Sequence, residues 1–438
     1  VQECGVPARI VLAAVGSYGD LFPTMGLALG LKRRGYEPIV ATSPHYRELV
    51  EGEQVGFHPV RPDLNPFDPS ILARAMDPRI GSEVVVRELV MPALRDSYED
   101  FSAIVSGADL VLSHPITFAA PLAAERHGVP WLSTVLAPLS FFSRYDFPAI
   151  PPFTGLARLA RCGPRTAGAI LAVSKAATRS WTAPVQALRR DLGLAPSGHP
   201  LFEGQFSPLG TLALFSSVMG RPQPDWPART TVTGFVFYDR HRRLPIELAR
   251  FLDAGDPPIV FTLGSSAVGA RGSDAFYADS VSATLALGRR AVLLVGTAAA
   301  SRLESGSPDH VIAVDYAPHH ELFPRAAVIV HHGGAGTNGQ GLRAGRPALI
   351  VPHAHDQPDN AIRVCRMGAA TSVDARRYAV RRATALLDRL ICVPRYAAAA
   401  AEVGRRVRAE DGVGTACGAI EDALAGATRD SMSVGGHR

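Results

Sequence analysis

Apolar residues along this chain gather in short runs, and between successive runs lie segments of helix length. The pattern predicts strands over residues 9–15, 38–41, 56–60, 109–113, 131–135 and 211–215, and again over 258–263, 291–295, 311–314, 327–330 and 348–351. Strand and helix alternating in this way is the signature of parallel α/β units. Each half holds enough strands for its own doubly wound sheet, so the expected fold class is α/β with two Rossmann-like domains. Between the halves lies Arg221-Pro222-Gln223-Pro224-Asp225-Trp226-Pro227, where each proline lacks an amide donor and biases its predecessor away from helix. This reading gives a first domain over 1–220, a linker over 221–243 and a second domain over 244–427. Residues 428–438, polar and glycine-bearing, are expected to be a disordered tail.

Composition narrows the function classes. The chain has 438 residues, 47% of them hydrophobic and 19% charged, and no apolar run approaches the ~18 residues of a membrane span. Its net charge of +5 comes almost wholly from arginine, since Lys32 and Lys175 are the only lysines. These arginines read as scattered rather than gathered into a basic stripe, which argues against nucleic acid as a partner. The cysteines at 4, 162, 365, 392 and 417 are odd in number and form no C-x-x-C, as expected of free thiols in a reducing, cytoplasmic setting. Residues 10–15 are too short for a signal-peptide core and run into Gly16-Ser17-Tyr18-Gly19-Asp20 with no A-x-A-like cleavage site.

The strongest chemical signal follows the predicted strand at 327–330. His331-His332-Gly333-Gly334-Ala335-Gly336-Thr337 turns from strand into helix, and such a glycine-rich turn lets backbone amides and the positive helix end approach a phosphate. Two rival readings exist. Gly334 to Gly339 matches G-x-G-x-x-G with Asp356 about 20 residues on, the fingerprint of an NAD-linked oxidoreductase. However, Asp356 lies beyond Pro352-His353-Ala354-His355 instead of capping the second strand. Alternatively, His331, His332, His353, His355 and Asp356 could be scored as a metal cluster, which would leave the glycines and Gln357 unexplained.

On these residues the chain resembles the inverting nucleotide-sugar glycosyltransferases of the two-domain GT-B fold, whose domains face a cleft. It is similar to the bacterial branch of rhamnolipid-type rhamnosyltransferases, sterol glucosyltransferases and antibiotic glycosyltransferases. The resemblance covers nearly the whole chain and is strongest over 311–370. It implies that His332, Gly334, Gly336 and Thr337, matching H-x-G-x-G-T, bind the donor diphosphate. Tyr316-Ala317-Pro318-His319 resembles W-A-P-Q, which implies a nucleoside site with Tyr316 stacked on the base and Ala317 and His319 beside it. Gln340 stands where many members carry a glutamate that grips the ribose, which leaves UDP and dTDP both open and leans to thymidine. Pro352 to Gln357 resembles P-x-x-x-D-Q, making Asp356 and Gln357 the readers of the donor sugar. Ser265 corresponds to a serine that can donate to a phosphate, or else closes a turn.

Gly16-Ser17-Tyr18-Gly19-Asp20 with Pro23 resembles G-S-x-G-D-x-x-P, which makes Asp20 the expected base for an acceptor hydroxyl. The other reading of Asp20 is a first-turn helix cap. His114, after the strand at 109–113, falls near the family's partner position, giving a carboxylate–imidazole dyad; a structural hydrogen-bonding histidine is its alternative. Phe141, Phe142, Tyr145 and Phe147 crowd a proline-ended loop that suits an apolar acceptor wall, or a loop packed on its own domain. The resemblance therefore implies a hexose or deoxyhexose transferase of the glucose or rhamnose type. Its first domain binds a hydrophobic small-molecule or lipid acceptor, with peripheral membrane contact if that acceptor is a lipid, and its second binds a UDP- or dTDP-sugar. No metal and no cofactor is expected, the nucleotide-sugar being a co-substrate. A noncatalytic sugar-nucleotide-binding auxiliary protein is the competing reading, against which the intact Asp20 turn speaks.

Overall fold

The computed structural model describes residues 6–65, 68–239, 243–267, 272–296 and 310–435, with side chains to residue 426. Two all-parallel sheets form the frame. The first contains β1 (Arg9–Ala13), β2 (Glu37–Thr42), β3 (Gly56–Pro59), β4 (Leu110–Ser113), β5 (Trp131–Val135), β6 (Thr211–Ala213) and β7 (Thr230–Val232), in the order β3-β2-β1-β4-β5-β6-β7. The second contains β8 (Ile259–Thr262), β9 (Ala291–Leu294), β10 (Val311–Val314), β11 (Val328–His331), β12 (Ala348–Ile350) and β13 (Ala370–Ser372), in the order β10-β9-β8-β11-β12-β13. This is the expected pair of Rossmann-like domains. The inner strands of each sheet, such as β1, β4, β8 and β11, are apolar on both faces because helices cover both. In the first sheet, helix Tyr18–Arg33 buries Leu21, Met25 and Leu31 on one side, while Phe101 and Ala120 close the other.

Strand order reverses once in each sheet, between β1 and β4 and between β8 and β11. In parallel α/β sheets the crevice for ligands opens at such a reversal, beyond the carboxyl ends of the strands. Those four strand ends lead directly to Asp20, His114, Ser265 and His332.

The domain boundaries differ from the sequence reading in three respects. The expected linker at 221–243 carries β7, which pairs with β6, and Val236 and Tyr238 join the first domain's core. Helix Gly412–Gly435 does not stay with the second domain: Ala416, Cys417 and Ile420 pack into the first domain's core against helix Tyr18–Arg33. The same helix runs through most of the stretch expected as a disordered tail. The short strands β7 and β13 escape the hydrophobic pattern because Thr230-Thr231 and Thr371-Ser372 are polar. Among the described residues no helix is long and apolar enough to cross a membrane.

A buried clamp joins the domains. The Arg363 guanidinium pairs with Asp359 on its own helix at 2.6 Å and with Asp146 of the first domain, and donates to the Met219 carbonyl at 3.1 Å. Asp359 Oδ1 accepts from the Ala149 amide at 3.0 Å. Removing one member of a buried ion pair typically costs about 3–5 kcal/mol.

Close backbone approach fixes how the linker returns over helix Tyr18–Arg33. A Cβ at Gly26 would lie 2.9 Å from the Phe237 carbonyl oxygen and 2.8 Å from Val236 Cγ1. Helix propensity alone would make Gly26→Ala stabilising by up to about 1 kcal/mol. The steric term wins, and we expect a loss of about 1–3 kcal/mol in urea unfolding; a gain in stability would contradict the packing described.

Candidate active site

The first domain supplies a carboxylate and an imidazole. After β1 the backbone turns through Gly16, at φ +131°, where a Cβ would come within 2.3 Å of Asp20 Oδ2. Ser17 then caps the helix, its hydroxyl accepting from the Gly19 amide at 3.2 Å while its own amide donates to Asp20 Oδ2 at 2.8 Å. This capping box occupies one oxygen of Asp20. The other, Oδ1, lies 3.4 Å from His114 Nε2. The two readings of Asp20 are thus compatible, since each uses a different oxygen. The His114 carbonyl is held by the Thr117 amide and hydroxyl, at 3.0 and 2.7 Å, while ring atom Nδ1 is buried with no hydrogen-bond partner among the described residues. Asp20 is 28% exposed against 9% for His114, so the carboxylate is the member nearer the cleft.

The second domain supplies a helix start. His331 points inward, its Nδ1 accepting from the Gly333 amide at 3.1 Å, and burial pushes its pKa down to about 3. His332 is clasped by glycines: a Cβ at Gly264 would meet its Cε1 at 2.3 Å, and one at Gly334 its Nε2 at 2.4 Å. Burial, then repulsion from His331, His353 and His319, lowers the His332 pKa well below 6.5, so the ring is neutral near pH 7. Helix Ala335–Ala344 follows with Gly334 as N-cap and no side-chain cap, which leaves its first-turn amides to other acceptors. Thr337 is buried in that first turn. Ser265 lies in the short helix Gly264–Ala267, beside the glycine that contacts His332. A Cβ at Gly336 would be 3.9 Å from Gly19 Cα, so the two helix N-termini oppose each other across the domain boundary.

The loop after β12 closes the site. His355 holds φ +55° and places Nδ1 3.3 Å from Ser82 Oγ of the first domain. Burial raises the Asp356 pKa from 3.8 to about 7; the Asn360 hydrogen bond opposes that shift, and the charge of Asp20 adds to it. Gln357 Oε1 accepts from the His353 and Ala354 amides at 2.9 and 3.2 Å, so its side-chain oxygen is spent on the loop and its NH2 remains for a ligand. Two asparagines that the sequence reading missed tie these parts together. Asn360 Nδ2 donates to Asp356 Oδ2 at 2.7 Å and to the Gly333 carbonyl at 3.0 Å, and Asn338 Nδ2 reaches that carbonyl at 2.6 Å. The signal for Asn360 was its position four residues after Asp356, on the same helix face.

Other expected residues stand elsewhere or are engaged. Gln340 does not face a ligand freely: its Nε2 donates to Asp239 at 3.0 Å, beside the Arg343–Asp239 ion pair at 2.6 Å. Tyr316 is half-buried just after β10 and Ala317 is fully buried. The His319 ring stacks on Phe323 at 4.3 Å, and burial lowers its pKa to about 4. Phe141 is no acceptor wall; it stacks on Trp226 at 3.9 Å inside the core. Phe142 packs on Phe202 with the rings tilted at 40°, Tyr145 is half exposed and Phe147 is partly buried. Among the described residues no group of three or more His, Cys, Asp or Glu is arranged to hold a metal ion.

Comparison with known proteins agrees with this geometry. Residues 10–137 match the glycosyltransferase family 28 N-terminal domain, and residues 287–412 match the C-terminal domain of erythromycin biosynthesis protein CIII-like proteins. The chain is 32% identical over 437 residues to O-mycaminosyltylonolide 6-deoxyallosyltransferase of Streptomyces fradiae, covering 94% of this chain and 97% of that one. Spinosyn forosaminyltransferase SpnP shares the fold at a TM-score of 0.71 and 20% identity, over 95% of this chain and 99% of that one. Spinosyn rhamnosyltransferase SpnG, complexed with thymidine diphosphate, does so at 0.66 and 16% identity, over 92% and 96%. With an uncapped helix start opposite an aspartate, two matching domains and a full-length relative, the chain belongs to the GT-B nucleotide-sugar glycosyltransferases, in their antibiotic and natural-product branch.

Proposed function

We propose that this glycosyltransferase moves a hexose or deoxyhexose from a dTDP- or UDP-sugar to a hydroxyl of a hydrophobic small-molecule or lipid acceptor, inverting the anomeric carbon. The observation that carries this reading is the Asp20–His114 contact opposite the uncapped helix at Gly334. The acceptor hydroxyl gives its proton to Asp20 as its oxygen attacks the anomeric carbon from the side away from the diphosphate. The bond from that carbon to the phosphate oxygen breaks, and its electron pair leaves on the diphosphate. Asp20 is the proton acceptor because it is the more exposed member, and His114 behind it stabilises the charge change.

The leaving charge falls on the amides of Ala335, Gly336 and Thr337, with His332 and Ser265 as further donors. A preorganised helix end and neutral donors supply that stabilisation without a metal. Asp356 and the Gln357 amide orient the sugar hydroxyls, and Tyr316 stacks on the base. Gln340, uncharged and tied to Asp239, offers little grip on a ribose, which favours thymidine over uridine. Two relatives support the same direction: SpnG is described with thymidine diphosphate, and the Streptomyces fradiae relative is named for transferring a 6-deoxyallosyl group to O-mycaminosyltylonolide.

Three outcomes test this reading. In thermal-shift titrations dTDP should raise the melting temperature more than UDP, and NAD should leave it unchanged; stabilisation by NAD alone would overturn the assignment. Asp20→Asn should lower turnover on an alkyl alcohol by about 10²-fold or more, and less on a phenol, with dTDP affinity unchanged. Near-normal turnover on the alcohol would remove Asp20 as base. Asp356 gives a pH signature. Its carboxyl stays protonated in the folded chain up to about pH 7, whereas the unfolded chain loses that proton near 3.8. The stability it contributes is therefore full below about pH 4, lost as pH rises towards 7, and flat beyond. Asp356→Asn keeps the neutral form, so its melting temperature relative to wild type should climb between pH 4 and 7; a pH-independent difference would mean that Asp356 ionises normally.

A further inference from the structure

A face outside the site has an unusual charge and apolar pattern. From residue 147 to residue 190 the sequence carries seven arginines and lysines and no aspartate or glutamate. Lys175 pairs with Glu203 and the buried Arg189 with Glu125. Arg158, Arg161, Arg165 and Arg179 are exposed and make no ion pair among the described residues. Large apolar side chains stand among them: Phe153 is 67% exposed, Leu159 52% and Val173 71%.

The helix Pro164–Thr178 shows how these groups are arranged. At the helical turn per residue, Arg165, Ala169, Ala172, Val173, Ala176 and Arg179 fall within an arc of about 120°. All six are exposed, while Ala167 and Leu171 on the opposite side are buried in the domain. Helix Leu156–Ala160 and the preceding Phe153 extend the same kind of surface, with arginines at 158 and 161.

We propose that this face docks on an anionic lipid surface, with Phe153, Leu156 and Leu159 entering the interface and the four unpaired arginines meeting lipid phosphates. Apolar side chains interleaved with arginine fit the headgroup boundary, because the long arginine stem lies along apolar matter while its head reaches phosphate. A two-fold contact with a second copy would set the same four arginines against each other, so charge disfavours that occupant. The loop ending at Pro148 leads directly into this face, so docking brings the acceptor side of the enzyme to the bilayer, where an apolar acceptor partitions. That consequence rests on the acceptor reading above. The docking itself does not, because it is measured without turnover.

Co-sedimentation of the full chain with vesicles tests it. Vesicles of equal parts phosphatidylglycerol and phosphatidylcholine should bind the protein, with binding weakened by added salt, and phosphatidylcholine alone should not. Arg158→Glu with Arg161→Glu and Arg165→Glu should lower affinity for the anionic vesicles by about 10²-fold or more, as should Arg165→Gln with Arg179→Gln to a lesser degree. Phe153→Ser with Leu159→Ser should weaken binding while keeping its salt dependence. Unchanged dTDP thermal shifts in each variant show that the fold and the donor site are intact. The proposal is overturned if wild type ignores anionic vesicles, if the arginine variants bind as wild type does, or if wild type is a dimer in solution that those variants dissociate.

Discussion

Helix Ala335–Ala344 begins on a glycine, with no side chain accepting from its first amides, and the neighbouring structure conforms to that open end. A buried amide left without a partner costs about 1–3 kcal/mol. Across the domain boundary, helix Tyr18–Arg33 solves the same problem internally through Ser17 and Asp20. The two starts lie close together, a Cβ at Gly336 falling in van der Waals contact with Gly19 Cα at 3.9 Å. An anion seated at the uncapped end would complete one helix while lying within reach of the carboxylate that completes the other. Groups carried by opposite domains are thereby brought to one place by backbone geometry.

Electrostatics follow from this closeness. Burial keeps His331, His332, His353 and His355 neutral and adds a proton to Asp356 near pH 7, so the donor-side wall carries little fixed charge. Facing that wall, Asp20 has the Ser17 amide on one oxygen and His114 Nε2 3.4 Å from the other. A diphosphate entering such a site meets aligned amides and neutral imidazole in place of buried cations.

The sequence made legible what periodicity and glycine chemistry encode. Every predicted strand is a strand, because runs such as 10–15 and 327–330 are apolar on both faces, and Gly16 and Gly333 stand where the backbone takes a positive φ that favours glycine. The Asp20–His114 proximity was also foreseeable, since adjacent strands on either side of a reversal must end together. What escaped depends on contacts distant in sequence. The ring of Phe141 joins the core only because Trp226, 85 residues later, stacks on it. Gln340 is engaged by Asp239, across the chain's passage between domains, and nothing local to either residue announces that bond. The return of helix Gly412–Gly435 to the first domain seats Val413 and Cys417 against Gly30, a fit that becomes visible only in three dimensions.

Arg363 connects these themes. It is nearly fully buried, and it holds Asp359 on the helix that begins beside Asp356 and Asp146 on the loop that carries Tyr145 and Phe147. Asp359 in turn binds the Ala149 amide of that loop. The aromatic loop is therefore anchored to the second domain although it belongs to the first. A hinge motion that opened the cleft while leaving this clamp intact would carry the loop with Asp356 and Gln357 and away from Asp20. Opening without such a displacement requires breaking a desolvated ion pair. Asp20 and the aromatic loop, though both grown from the first sheet, are thus mechanically separable, and the clamp decides which of them travels with the second domain.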